Sequence, residues 1–111
     1  INVYEAGNDC LDVSGGKYSL VNLSLSRCGD KGISVGEKSN LKANNVIINT
    51  ASIGVSSKDL SETVIKKGNF VGIRNCYEAA QKKQEFGGAK LMFGNLLCDG
   101  GFIKDDQSII N

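Results

Sequence analysis

A short motif recurs along the chain at a nearly constant interval of roughly two dozen residues, and this repeat constrains the fold more than any other feature of the sequence. The clearest copy reads CGDKGISV and spans residues 28–35. In the other copies its first position holds small residues that a core can bury, which gives the column Ala6, Cys28, Ala51, Cys76 and Cys98. Self-similarity at a fixed period of about 20 to 50 residues is the signature of a repeat architecture.

Further columns follow from the same alignment. The position three or four residues after the first column is small throughout, and the position after that is apolar in every copy: Leu11, Ile33, Val55, Ala80 and Phe102. Leu23 and Leu25 stand two residues apart, so both side chains point to one face of a strand. The period is too short for a strand plus a full helix in each repeat. The pattern therefore predicts an all-β, right-handed, single-stranded parallel β-helix, a solenoid of about four to five coils in which each strand pairs with its counterpart one coil away.

The predicted solenoid is one domain that covers residues 1–111. Its parts are a half coil at 1–7, a partial coil at 99–111, and four coils at 8–29, 30–51, 52–76 and 77–98. The coil at 52–76 is the longest, and the alignment places its extra length between Lys58 and Gly68. Neither end reads as a cap, and solenoids normally cover their ends. We therefore expect a segment of a longer protein, or ends that another chain covers, including a second copy.

Charge and composition narrow the classes of partner. Thirteen basic and twelve acidic residues give a net charge of +1, so the chain has no general attraction to nucleic acid or to membranes. Arg27 and Arg74 are the only arginines and tryptophan is absent, which argues against a nucleic-acid surface of arginines interleaved with aromatic residues. No run of about 18 apolar residues is present, so we expect no insertion into a membrane.

The four cysteines are expected to be buried and free. Cys28, Cys76 and Cys98 share the small column, where a thiol fills space beside alanine. A Cys76–Cys98 disulfide is the alternative, because neighbouring coils lie about 4.8 Å apart, although stacked side chains rarely offer the required dihedral angle. The sequence has no CxxC pair and no histidine, which argues against a zinc site with its usual ligands. On this basis the cysteines do not fix the cellular compartment.

Charged residues follow the glycine column and are predicted to stack along one corner of the solenoid. Such a strip suits the binding of a polysaccharide, the binding of calcium, or acid–base cleavage of a glycosidic bond. The candidate metal ligands are Glu37, Asp59 and Asp106. The candidate catalytic residues are Lys58, Asp59, Lys83, Asp105 and Asp106. We favour the alternative, a mixed-charge surface that keeps the chain soluble, because exposed ion pairs are common and contribute little.

Three segments carry a resemblance to a known family: NDCLDVS at 8–14, GDKGISVGEKS at 29–39 and IGVSSKD at 53–59. They resemble the repeat of the right-handed parallel β-helix in pectate-lyase-like proteins. The resemblance implies a carbohydrate-associated or surface protein of bacterial type, secreted or in the cell envelope, and a polysaccharide partner. It does not imply catalysis, because the polygalacturonase pattern of Asn-Thr-Asp, Asp-Asp and Gly-His-Gly is matched only at Asp105-Asp106.

Three hypotheses about function follow from the sequence. The first is a scaffold or glycan-binding β-helix module without a cofactor. The second is part of a polysaccharide lyase or glycoside hydrolase that uses the charged strip, with calcium as a cofactor only if the chain is a lyase. The third is a structural module whose coils stack end to end on other copies.

Overall fold

The strands alone make up the regular structure of the described chain. The computed structural model describes residues 1–80, 88–104 and 109–110, and within these ranges no helix occurs. The strands are β1 (Asn2–Val3), β2 (Leu11–Val13), β3 (Gly16–Ser26), β4 (Lys31–Val35), β5 (Ser39–Lys58), β6 (Glu62–Ala80), β7 (Lys90–Cys98), β8 (Gly101–Lys104) and β9 (Ile109–Ile110).

Every strand pairing among the described residues is parallel, and the partners lie one coil apart in sequence. Leu11 is in register with Ile33, and Ile33 is in register with Val55. The main ladder runs in the order β1-β3-β5-β6-β7-β9. The chain is therefore a parallel β-solenoid of about four turns, which confirms the all-β parallel β-helix predicted from the repeat.

The strand pairings of the described residues divide the ladder into three faces. We call residues 2–3, 22–26, 45–49, 67–71 and 95–98 the asparagine face. Residues 11–13, 31–35, 53–58, 75–80 and 101–104 form the β4 face. Residues 16–20, 39–43, 62–65, 90–93 and 109–110 form the lysine face.

The corner between the asparagine face and the β4 face depends on single residues with a left-handed backbone. These are Arg27 at φ 53°, Thr50 at φ 68° and Gly72 at φ 70°. Left-handed backbone suits glycine and is strained for β-branched threonine. Asp99 supports the corner one coil further on, because its carboxylate accepts hydrogen bonds from the backbone N–H groups of Gly72 (3.0 Å) and Ile73 (3.2 Å). The pKa of Asp99 is lowered for this reason, since both bonds stabilise the ionised carboxylate.

The core consists of columns of stacked apolar side chains along the solenoid axis. Leu25, Ile48 and Phe70 form one column on the asparagine face and are at most 1% exposed. Ile33 and Val55 form another on the β4 face and are fully buried. On the asparagine face, the residues that alternate with the buried ones point outward, as the period of two predicts.

The register of the later coils differs from the alignment made on the sequence. Val55 is in register with Tyr77 rather than with Ala80, and Ala80 lies in register with Lys58. The backbone of Phe102 is in register with Tyr77, so Phe102 remains in the column that contains Val55. Ala51 pairs with Ile73 rather than with Cys76, so the alignment was wrong by three residues in this coil. The cause is that it matched small residues to one another, whereas this corner accepts a large Ile73.

The extra residues of the longest coil also lie at a different place from the one predicted. The offset between paired residues is 22 at Lys58↔Ala80 and rises to 28 at Glu62↔Lys90. The prediction of an insertion between Lys58 and Gly68 is therefore wrong, because the insertion falls between Ala80 and Lys90.

The cysteines form two disulfides, Cys10–Cys28 and Cys76–Cys98, so the prediction of free thiols is wrong and the alternative Cys76–Cys98 pairing is present. Cys28 is in line with Ala6, but its partner Cys10 lies four residues beyond Ala6, on the neighbouring coil. The first bridge thus runs diagonally across the corner instead of joining two stacked residues. The Cα–Cα separations of 5.3 and 6.1 Å lie within the range that disulfides tolerate.

Candidate functional site

Lys58 of the predicted charged strip lies on the outer side of the β4 face, but it is already paired. Its Nζ lies 3.3 Å from Oε1 of Glu78, and the two side chains are only 15% and 16% exposed. The buried hydroxyl of Ser56 donates a hydrogen bond of 2.8 Å to the same carboxylate oxygen. The cation is therefore neutralised at short range and offers little surface to a substrate.

The structure describes two further members of the strip, Asp59 and Glu37. Asp59 is 3% exposed and sits in a turn with left-handed backbone at φ 51°. Glu37 belongs to the preceding coil, where its backbone carbonyl accepts a hydrogen bond from Gly15. Lys83, Asp105 and Asp106 lie outside the described residues. Within the ranges that the structure describes, no three Cys, His, Asp or Glu side chains come close enough together to hold a metal ion.

A second charged cluster surrounds Lys31 at the start of β4. Its Nζ lies 2.9 Å from Oδ2 of Asp30, and its backbone N–H donates to Oδ1 of Asp9 at 3.1 Å. Partial burial lowers the pKa of Lys31, but the bond to Asp30 and the nearby charges of Asp9, Asp30 and Glu78 outweigh it, so the net pKa is raised. The cluster therefore keeps its ammonium charged and stabilises the corner.

The asparagine face offers a more accessible arrangement. A row of side chains, one from each coil, points outward from it: Asn22, Asn45, Lys67 and Asn95. Nδ2 of Asn45 donates a hydrogen bond of 3.0 Å to Oδ1 of Asn22. Because parallel strands are about 4.8 Å apart, the row presents the amides of Asn22 and Asn45 on neighbouring strands, then the ammonium of Lys67, then the amide of Asn95. We call these four residues the amide row.

A second row runs beside the amide row and mixes polar with apolar side chains: Ser24, Ile47, Asn69 and Leu97. Ile47 is 53% exposed and Leu97 is 71% exposed, so this row presents two large apolar side chains to solvent. The two rows border an open groove of about 490 Å³. None of the residues that line this groove is a carboxylate, so it offers hydrogen bonds and apolar contact rather than a pair of acids.

The sequence alone identifies only part of the amide row that borders this groove. Asn22 and Asn45 could be placed in one column from their spacing, which equals one repeat, and ladders of stacked asparagines are common in parallel coils. Lys67 and Asn95 were not found, because the register error of three residues begins in the coil at 52–76 and moves both out of the column.

Comparison with protein-family models, with curated proteins and with solved structures finds no significant match. Across the described part of the chain, no helix has the length and apolar character needed to cross a lipid bilayer. Evidence about function therefore comes from the surface chemistry of the solenoid.

Proposed function

We propose that the chain is a glycan-binding β-helix module that holds its ligand on the asparagine face. The supporting observation is the amide row beside exposed Ile47 and Leu97. Sugar rings present hydroxyl groups at their edges and C–H groups on their faces. Amides suit the hydroxyls because each one both donates and accepts, and exposed apolar side chains suit the ring faces.

The two disulfides bear on the cellular compartment in which the chain folds. Cys10–Cys28 and Cys76–Cys98 each join neighbouring coils. Disulfides persist in oxidising compartments and are rare where glutathione keeps thiols reduced. Together with the resemblance to pectate-lyase-like repeats, this supports a secreted or cell-envelope protein of bacterial type that is associated with polysaccharide.

The polysaccharide-cleaving alternative receives less support. A lyase needs a basic residue that can reach the substrate, and Lys58 is paired with Glu78 and mostly buried. The groove on the asparagine face is lined by amides and by Lys67 rather than by an acid–base pair. We therefore propose binding without turnover.

A glycan array followed by calorimetry on the best ligand tests the proposal. Asn45→Ala removes one amide of the row, and Asn44→Ala is the matched control, because Asn44 is also exposed but lies at the bend beside the face. A lost neutral hydrogen bond of about 1 to 1.5 kcal/mol corresponds to roughly a tenfold weaker affinity. We expect this loss for Asn45→Ala alone, with no release of shorter sugars. Equal losses for both variants, or no binding to any glycan, would contradict the proposal.

A further inference from the structure

The lysine face carries a second groove, and its charges differ from those of the asparagine face. The groove has a volume of about 400 Å³ and is open to solvent. Lys17 and Lys42 border it, with Ser19 and Asn40 between them. Lys17 is in register with Asn40, and Ser19 is in register with Lys42. The two lysines therefore stand on neighbouring strands, two residues apart along the strand, on the same outward side.

Neither of these lysines has an ion-pair partner among the described residues. Glu62 is the one carboxylate that lines the groove, and its Oε1 lies 3.8 Å from Nζ of Lys90. Glu62 is in register with Asn40, so it stands on a strand neighbouring that of Lys42, two residues along, as Lys17 does on the other side. Because this carboxylate is shared with Lys90, the two lysines of the groove face one partly neutralised acid. The excess of positive charge attracts a negatively charged ligand.

We propose that this groove binds an oxyanion substituent, a sulfate ester or a carboxylate, carried by a saccharide. The two ammonium groups supply the charge, and lysine makes a flexible point-charge contact that does not require planar, bidentate geometry. Ser19 and Asn40 supply hydrogen bonds for the neighbouring hydroxyls of the sugar. The site lies on a different face from the amide row, so it does not depend on the glycan-binding function proposed above.

Amide chemical shifts of the ¹⁵N-labelled full chain can report on both faces at once. The probes are a sulfated heparin-derived disaccharide, a digalacturonate and uncharged cellobiose. We expect at least one of the two anionic sugars to shift the amide signals of Lys17, Ser19, Asn40 and Lys42, and the effect to weaken as salt is raised. The sugar that binds identifies the anion as a sulfate ester or a carboxylate. Cellobiose is expected to leave these four signals in place.

Charge-removing variants give the decisive comparison. Lys17→Gln combined with Lys42→Gln should weaken binding of the anionic sugar at least tenfold. Lys66→Gln, which removes an exposed lysine at the bend outside the groove, should change it less than twofold. The dispersion of the spectra verifies that each variant is folded. The proposal is overturned if no anionic sugar shifts these signals, if cellobiose shifts them equally, or if Lys66→Gln weakens binding as much as the double variant. Shifts confined to Asn22, Asn45 and Asn95 would support the asparagine face and overturn this second site.

Discussion

Gly54 tests how closely the coils stack, because it allows two of them to approach within contact distance. A Cβ added at Gly54 would lie 2.4 Å from the backbone oxygen of Cys76 and 2.8 Å from Cδ2 of Phe70. The oxygen belongs to the next coil, so relieving the clash requires that coil to move. Gly54→Ala is therefore expected to destabilise the fold. Gly7→Ala is the matched control, since a Cβ there meets nothing within 4 Å.

Two opposing effects set the change in the free energy of unfolding for Gly54→Ala. Overpacking a well-packed core costs about 1 to 3 kcal/mol, and contact with the main chain places Gly54 toward the upper end. Replacing glycine by alanine where the backbone tolerates it raises the free energy of unfolding by about 0.4 to 1 kcal/mol, because the unfolded chain loses conformational entropy. The net loss is about 2 kcal/mol for Gly54→Ala, against a small gain for Gly7→Ala. For a chain of this size the loss corresponds to a Tm lower by roughly 8 °C.

Urea unfolding followed by far-ultraviolet circular dichroism measures both variants, with disulfides intact and with the slope of the transition compared to that of the parent chain. A lower midpoint at unchanged slope for Gly54→Ala alone is the expected result. If Gly54→Ala were as stable as Gly7→Ala, the close approach of Cys76 and Phe70 to Gly54 would be refuted, and with it the register of this coil.

Three further predictions concern the corner beside the asparagine face. Replacing Cys76 and Cys98 together by alanine opens a loop with a sequence separation of 22 residues, and we expect the free energy of unfolding in urea to fall by about 3 kcal/mol; an unchanged value would contradict the bridge. Thr50→Asn should raise stability by up to about 1 kcal/mol, because asparagine tolerates the left-handed backbone at φ 68°; a lower midpoint would show that Thr50 is not strained. The lowered pKa of Asp99 means that its carboxylate stabilises the fold above the unfolded pKa of about 4 and that this contribution is lost as the pH falls through the folded pKa. Stability measured from pH 6 to pH 2 should therefore fall less steeply for Asp99→Asn than for the parent chain, and identical profiles would refute the role of Asp99.

The sequence predicts the parts of the fold in which side-chain size alone identifies the column. Leu11, Ile33 and Val55 are apolar and equally spaced along the chain, so their stacking follows from the repeat alone. One coil after Ala51 the same reasoning fails, because Ile73 takes a position that is small in the earlier coils. Residue size alone does not predict that a large isoleucine replaces a small residue at this position.

Other features depend on contacts that only the folded chain provides. Ser57 and Thr63 are fully buried, and they are tolerated because Oγ1 of Thr63 lies 3.0 Å from Oγ of Ser57 and donates to it. The Cys10–Cys28 pairing is a second case, since it joins residues from different columns across a corner. The amide row is a third, because two of its four members become visible only after the register is corrected.

The most direct test of the account is the set of nuclear Overhauser effects around Ile33 in the labelled chain. The stacked coils predict backbone amide-to-Hα contacts from the strand around Ile33 to the strands around Leu11 and Val55, each one coil away and both parallel. Contacts from Ile33 to residues within about ten positions, in the alternating pattern of an antiparallel hairpin, would contradict the solenoid and the two binding faces proposed on it.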